Sequence, residues 1–256
     1  MDSRRRYLDL LKRALNNYLY LGEGEDFTDY DTITDSRYSD SRWTIPEWGI
    51  PHTLLRMPQF ESLEYALFQV IKHRVPGDFF EAGVYRGGAV IFMRAVLDVC
   101  GDTDRTVWAA DTFGGIPAAS KHAEVEDEVK EWDDRWIAGL DEVKARIQRY
   151  GLLDDRIRFL EGPFSETLPG ARLGDLAVVR LDADAYESTR DAIEVLYPKI
   201  PEGGFLIIDD WHLDACRRAV NEYREAKGIE EPIAGVMGTR DYPYEAFWQV
   251  KNRITE

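Results

Sequence analysis

The sequence predicts a doubly wound α/β fold, an open and mostly parallel sheet with helices on both faces. Three observations carry this. From Phe79 onward, short apolar runs of strand length alternate with segments of helical period. The first of these runs opens directly into a glycine-rich turn, Gly83 to Gly88, that starts a helix. Two further runs, residues 176–181 and 204–208, lie one helix length apart and both end in acid: Asp182 and Asp184 after the first, Asp209 and Asp210 after the second.

Taken in order, residues 5–20 carry Leu8, Leu11, Leu15, Tyr18 and Leu19 at helical spacing and predict an amphipathic helix. Residues 22–52 are rich in Asp, Ser, Thr and Tyr and hold Trp43, Pro46, Trp48 and Pro51. They predict loop with one short helix, of the composition that suits a lid or a partner surface. A helix follows over 62–72, stopped by Pro76-Gly77.

Strands are then expected over 79–84, 106–110, 157–160, 177–181 and 205–208. Between and after them helices are expected over 88–99, 124–150 (one or two), 188–196 and 214–226, the last with Asp214 as a possible N-cap. Two closing strands, 233–237 and 246–250, flank a loop long enough for a hairpin, which makes seven strands with the last antiparallel. A division into an N-terminal helical and lid segment, 1–75, and a sheet domain, 76–256, follows.

The chain has 256 residues and 44% hydrophobic composition, enough for one large core. Its formal net charge of −16 repels phosphate backbones, so nucleic acid is not an expected partner. Cys100 and Cys216 sit among apolar residues without metal-ligand spacing, and a reduced, cytoplasmic setting fits them. The basic start is followed by no apolar run of signal-peptide length, and no stretch approaches a membrane span.

The chemistry concentrates at two places. After strand one, Gly83 permits a tight turn, and Gly87 and Gly88 let the helix begin close to a ligand with free N–H groups outward. Glu81, near the end of that strand, can accept from an ammonium or hydroxyl group. Asp111, at the end of strand two, occupies the position that bonds ribose hydroxyls. The spacing G-x-x-x-G-G is not the dinucleotide fingerprint, so a nucleoside is favoured over a nicotinamide. The second place is the set of Asp182, Asp184, Asp209 and Asp210. If their strands are parallel neighbours, four carboxylates converge at one sheet edge, where a cation would relieve their repulsion.

Five motifs, in order from about His52 to Tyr223, resemble the macrocin O-methyltransferase family: Glu81-x-Gly-Val-x-Arg-Gly-Gly-Ala89, Ala110-Asp-Thr-Phe-Gly-Gly-Ile-Pro117, the Arg149–Leu160 stretch, Arg180-Leu-Asp-Ala-Asp-Ala-Tyr186 and Gly203-Gly-Phe-Leu-Ile-Ile-Asp-Asp210. The resemblance implies a Rossmann-like class I methyltransferase fold, S-adenosylmethionine as methyl donor, magnesium, and a sugar hydroxyl on a glycosylated natural product as acceptor. It implies that Gly83, Tyr85, Arg86 and Gly87 line the methionine part of the cofactor, with Glu81 near its amine. Asp111 would hold the ribose, with Thr112 and Phe113 beside the adenosine and Gly162 and Ser165 near the adenine. His52, Thr53 and Met57 match a preceding motif that closes over the cofactor. Asp182, Asp209 and Asp210 would hold magnesium, with Asp182 also near the methionine end, and Asp184 would be the general base.

The chain departs from the family pattern at Leu54, Arg56 and Pro163, and residues 22–50 and 118–133 match it poorly. Those segments are where acceptor choice is expected to reside. His212 is the competing base. A homo-oligomer is expected, with no nucleic acid and no membrane. Two other readings remain: a nicotinamide-dependent oxidoreductase of a sugar, which lacks both the glycine spacing and a Tyr-x-x-x-Lys pair, and a non-catalytic nucleoside- or metal-binding module docking through Trp43, Trp48, Trp132 and Trp136.

Overall fold

A computed structural model describes residues 2–20, 51–117, 137–237 and 243–254. The proposed lid over 22–50, the four tryptophans Trp43, Trp48, Trp132 and Trp136, and the first part of the 124–150 region lie outside the described residues.

Seven strands form one sheet in the order β3-β2-β1-β4-β5-β7-β6. They are β1 Asp78–Ala82, β2 Val107–Asp111, β3 Ile157–Glu161, β4 Leu176–Leu181, β5 Phe205–Ile208, β6 Ala234–Val236 and β7 Glu245–Gln249. The first five run parallel, and β7 is antiparallel to both β5 and β6. This is the expected seven-stranded arrangement, with β4 and β5 adjacent. The chain order reverses between β1 and β4, so a crevice opens outside their C-terminal ends, the usual ligand position in such sheets.

Side-chain alternation along each strand builds two cores. Phe79, Val107, Val178, Phe205 and Ile207 face one way, against α1 Ser3–Leu15, α2 Met57–Lys72, α3 Gly88–Cys100 and α4 Leu140–Arg149. Phe80, Ala110, Val179, Leu206 and Ile208 face the other way, against α6 Tyr186–Leu196 and α7 Asp214–Lys227. A one-turn helix, α5 Phe164–Thr167, follows β3 and was not expected from the sequence. Leu8, Leu11 and Leu15 of α1 and Phe60, Leu63 and Leu67 of α2 belong to the first core, so these N-terminal helices pack into the sheet's own interior.

Several boundaries move. The first helix ends at Leu15, and a 3-10 turn covers Tyr18–Tyr20. α2 starts at Met57, earlier than expected, because Pro58 fits a first helical turn and the Gln59 side chain accepts the Arg56 N–H at 2.9 Å. β1 stops at Ala82, where Gly83 turns at φ +87°. Asp214 is not the cap of α7. Leu213 takes the cap position, and Asp214, in the first turn, pairs with Arg217 instead. Cys100 is partly buried and Cys216 fully buried. Among the described residues no helix is long and apolar enough to cross a membrane.

Candidate active site

A cavity of about 520 Å³ opens at the crevice, within the usual range for small-molecule sites. One side is built by the turn after β1 and the end of β2, with Gly83, Tyr85, Asp111, Thr112 and Phe113. The other side is built by the ends of β4 and β5, with Asp182, Asp184, Asp209, Asp210 and His212. The two chemical regions singled out in the sequence therefore share one space.

On the first side the Asp111 carboxylate organises the turn. One oxygen accepts the N–H groups of Val84 at 2.7 Å and Tyr85 at 3.1 Å, and the other accepts from Phe113 at 2.8 Å. Phe113 packs edge-on against Phe159. Gly83 has no room for a side chain, since a Cβ there would stand 1.7 Å from the Asp182 carbonyl oxygen. Gly88 was expected to clear space for a ligand, but it clears space for the chain itself. A Cβ at Gly88 would lie 2.3 Å from the Thr53 Cβ and 2.7 Å from the His52 carbonyl oxygen. The segment before α2 is thus pressed onto the start of α3, where His52 Nδ1 also meets the Tyr150 hydroxyl at 2.9 Å. Gly87 caps α3 at φ +90° and faces Val143 and Ile147 of α4.

Other expected cofactor residues are distributed unevenly. Met57 packs against the first core, and Thr53 is buried with its hydroxyl accepting from the Leu55 N–H. Arg86 lies over the Tyr85 ring, 5.9 Å from its centroid, with its Nε buried and unpartnered. Gly162 turns at φ +133° and donates to the Asp111 carbonyl. Thr53, Met57, Glu81, Arg86, Gly87, Gly162 and Ser165 do not line the cavity, whereas Phe164, beside Ser165, does.

On the second side, oxygens of Asp182, Asp184 and Asp210 lie within 4.8 Å of one another, the spacing of a candidate cation site. This grouping differs from the expected one. Asp184 is in it and Asp209 is not; one Asp209 oxygen lies 2.5 Å from Arg180 and accepts from Gln59 at 2.8 Å. Asp210 is fixed by accepting the backbone N–H groups of Ala183 and Asp184, both at 2.9 Å. Asp184 is in a left-handed backbone conformation, φ +59°, which is uncommon for a residue with a side chain and concentrates at functional positions.

Burial first, and then the charges of its acidic neighbours, pushes each of these carboxyls well above the usual carboxylate range. Asp209 and Asp210 act on Asp182; Asp182 and Asp209 act on Asp184; Asp184 and Asp209 act on Asp210. A set of oxygen donors that repel one another in this way suits a hard divalent cation.

Arg180 lies beneath the cluster and drew no attention in the sequence beyond its place in a motif. It is 1% exposed in the middle of the sheet, and its guanidinium reaches Glu81 at 2.8 Å, Asp182 at 2.9 Å and Asp209. Glu81, expected near the cofactor amine, is instead this arginine's buried partner. Burial raises its carboxyl to about 8 against the pull of Arg180, and its second oxygen is buried without a partner. The signal available was a lone charge inside an apolar strand, which must find partners. Glu245, at the start of β7, is a further buried acid and accepts from Ser62. At the cavity rim, Arg56 lies 4.7 Å from the Tyr244 ring centroid and His212 lies 4.5 Å from it, with His212 Nδ1 near the Tyr244 carbonyl.

Comparison with known proteins bears on this geometry. A family model described as macrocin-O-methyltransferase (TylF) matches residues 4–243. A Streptomyces olivaceus protein, the 8-demethyl-8-(2,3-dimethoxy-α-L-rhamnosyl)-tetracenomycin-C 4′-O-methyltransferase, is 46% identical over 93% of this chain and 92% of its own. Mycinamicin III 3″-O-methyltransferase of Micromonospora griseorubida is 38% identical over 90% of this chain and 92% of its own. Among solved structures, the O-methyltransferase NovP superposes with a TM-score of 0.84 at 32% identity, covering 98% of this chain and 100% of that one.

Proposed function

Because the chain belongs to the macrocin O-methyltransferase family, we propose that this O-methyltransferase carries a methyl group from S-adenosylmethionine to a sugar hydroxyl of a glycosylated natural product, in antibiotic biosynthesis. The observation that carries the reading is that the Asp111 turn and the acid cluster face each other across one cavity. That puts a donor site and an acceptor site in one space. Membership in this family also removes the nicotinamide-dependent reading.

S-adenosylmethionine supplies an electrophilic methyl on a sulfonium, and a divalent cation such as magnesium supplies positive charge that draws carboxylates together and acidifies a neighbouring hydroxyl. The residues fit both. Asp111, whose Oδ1 keeps one lone pair beyond those holding the turn, takes the ribose. Gly83 and Tyr85 border the methionine part, with Arg86 and Gly87 behind them and Glu81 acting from below. Thr112 and Phe113 flank the adenosine, Gly162 and Ser165 shape the adenine end, and Thr53 and Met57 brace the segment over it. Asp182 and Asp210, with the remaining oxygen of Asp209, hold magnesium. Asp184 takes the proton from the acceptor hydroxyl.

A second reading is favoured by the oxygen cluster itself: Asp184 is a ligand in place of Asp209, and His212 on the cavity rim takes the proton. The same proposal includes the division into 1–75 and 76–256, a cytoplasmic homo-oligomer, and no nucleic-acid or membrane partner. The experiment is methyl transfer by the purified chain, followed by mass spectrometry. Its acceptors are the tetracenomycin rhamnoside named for the Streptomyces olivaceus relative, mycinamicin III and demethyldecarbamoylnovobiocin, the last named for a Streptomyces niveus relative. Addition of one methyl to a sugar supports the reading. Addition to none of them, together with no S-adenosylmethionine binding, overturns it.

A further inference from the structure

We propose that Arg180 is a positioning residue for methyl transfer, deciding from inside the sheet which carboxylate oxygens of the acid cluster are free to face the cavity. This rests on the reading of that cluster as the reaction centre. Arg180 is one residue from the end of β4, the strand at which the sheet order reverses, and its register partner on β1 is Glu81. One guanidinium nitrogen donates to Glu81 at 2.8 Å and to Asp182 at 2.9 Å. A second lies 2.5 Å from Asp209. A single rigid fork therefore ties together groups from β1, from the end of β4 and from the end of β5.

The tethers have a consequence for the cluster. The Asp209 oxygen that faces Arg180 as an ion pair also accepts from Gln59. The Asp182 oxygen that faces Arg180 accepts from Nη1. Each acid is left with its other oxygen for the cavity. Asp184 and Asp210, which Arg180 does not touch, keep their own arrangement through the backbone bonds to Asp210. The four carboxylates are thereby divided into two that are steered from below and two that are not.

An ordinary core ion pair explains the geometry less well. Burying a guanidinium costs several kcal/mol of lost hydration, which a pair repays only with excellent geometry, and apolar replacements are often at least as stable. The neighbours of Arg180 along β4 are Val178, Val179 and Leu181, all fully buried, so an apolar residue would suit the fold. Arg180 Nε and Nη2 are both buried without a hydrogen-bond partner, Nη2 meeting Asp209 as an ion pair, and Glu81 leaves an oxygen unpartnered too. What the arginine supplies, and an apolar residue could not, is a planar fork that reaches three carboxylates at once. Lysine offers a single point charge and cannot reproduce it.

The test compares wild type, Arg180→Lys, Glu81→Gln, and the double variant Glu81→Gln with Arg180→Met, which removes both members of the buried pair together. Thermal melts, S-adenosylmethionine calorimetry and Mn²⁺ titration followed by electron paramagnetic resonance are read on each. The proposal expects Arg180→Lys to fold and to bind S-adenosylmethionine within about threefold of wild type, with Mn²⁺ affinity lowered roughly 10–100-fold, the usual cost of losing an outer partner of a metal ligand. The double variant is expected to melt near wild type and still to bind Mn²⁺ more weakly than Glu81→Gln alone. If instead Mn²⁺ affinity returns together with stability in the double variant, or is unchanged in Arg180→Lys, Arg180 is a structural residue and the proposal is wrong.

A wild type that binds no Mn²⁺ would remove the cation reading by itself. Arg180 is then judged on the turnover of an acceptor from the methyl-transfer assay. A fall on the order of 10²-fold in kcat at unchanged KM, the scale of an ångström-sized misplacement, upholds it. A kcat within about threefold of wild type overturns it.

Discussion

Gln59 Nε2 donates to Asp209 Oδ1 at 2.8 Å, across 150 residues of sequence. The same amide uses its oxygen to accept the Arg56 N–H at 2.9 Å and so starts α2. One side chain thus couples the entry of an N-terminal helix to the orientation of an active-site carboxylate.

Gln59→Leu removes both bonds at similar volume. We expect the protein to lose about 1–2 kcal/mol of stability from the missing hydrogen bonds and to keep its affinity for S-adenosylmethionine, while kcat falls on the order of tenfold as Asp209 is loosened. Steady-state kinetics beside calorimetry checks this. Unchanged kcat would mean that the orientation of Asp209 is set by Arg180 alone.

Asp111 serves two purposes, and its removal should be felt with and without ligand. Asp111→Ala strips the acceptor from three backbone N–H groups. The free protein should melt earlier, and S-adenosylmethionine should bind more weakly by about 1.5–3 kcal/mol, the value of a hydrogen bond to a charged group. Calorimetry giving the wild-type affinity would take Asp111 out of the cofactor site.

Gly88→Ala should destabilise the protein by about 1–3 kcal/mol, the range for forcing an extra methyl into packed space, since its Cβ would meet Thr53 and His52. Gly139→Ala is the control, because none of the described residues lies within 4 Å of the added carbon. Equal melting temperatures for the two variants would show that the segment before α2 yields freely, against the packing described above.

His52 should make the protein acid-sensitive. Burial, then Arg146, Arg86 and Arg149, lowers its pKa to about 4 from 6.5. Between those values the unfolded chain binds more protons than the folded one. The associated stability is therefore present above pH 6.5 and is lost as the pH falls through the window to about 4. Melting temperatures of His52→Gln should fall less steeply than wild type over this range. Parallel curves would assign the acid loss to other groups.

The fold was largely legible because apolar strand runs alternate with helical periods, and each run is bounded by Gly, Pro or acid. Boundaries slipped where local chemistry outweighs periodicity, as at Pro58 and Gln59, which start α2 early. The convergence of Asp182, Asp184, Asp209 and Asp210 followed from adjacent parallel strands. Their division did not, because it depends on Arg180 and Gln59, whose relation to the acids exists only across strands and helices far apart in sequence. Gly88 was legible as a position of close approach, but not the partner that approaches it. Phe164 was hidden because a single turn of helix leaves no periodic trace.

If the acid cluster runs the transfer with Asp184 as the base, Asp184→Asn separates base from ligand. Methyl transfer to an accepted glycoside and Mg²⁺ affinity are measured side by side, with Asp182→Asn and Asp210→Asn for comparison. Asp184→Asn is expected still to bind Mg²⁺ and S-adenosylmethionine while kcat falls by ~10²–10⁴, the usual contribution of a general base, and added Mg²⁺ should restore nothing. The other two variants should bind Mg²⁺ more weakly and recover part of their activity when it is in excess. If Asp184→Asn instead loses Mg²⁺ and recovers activity in excess Mg²⁺, Asp184 is a ligand and the claim is contradicted.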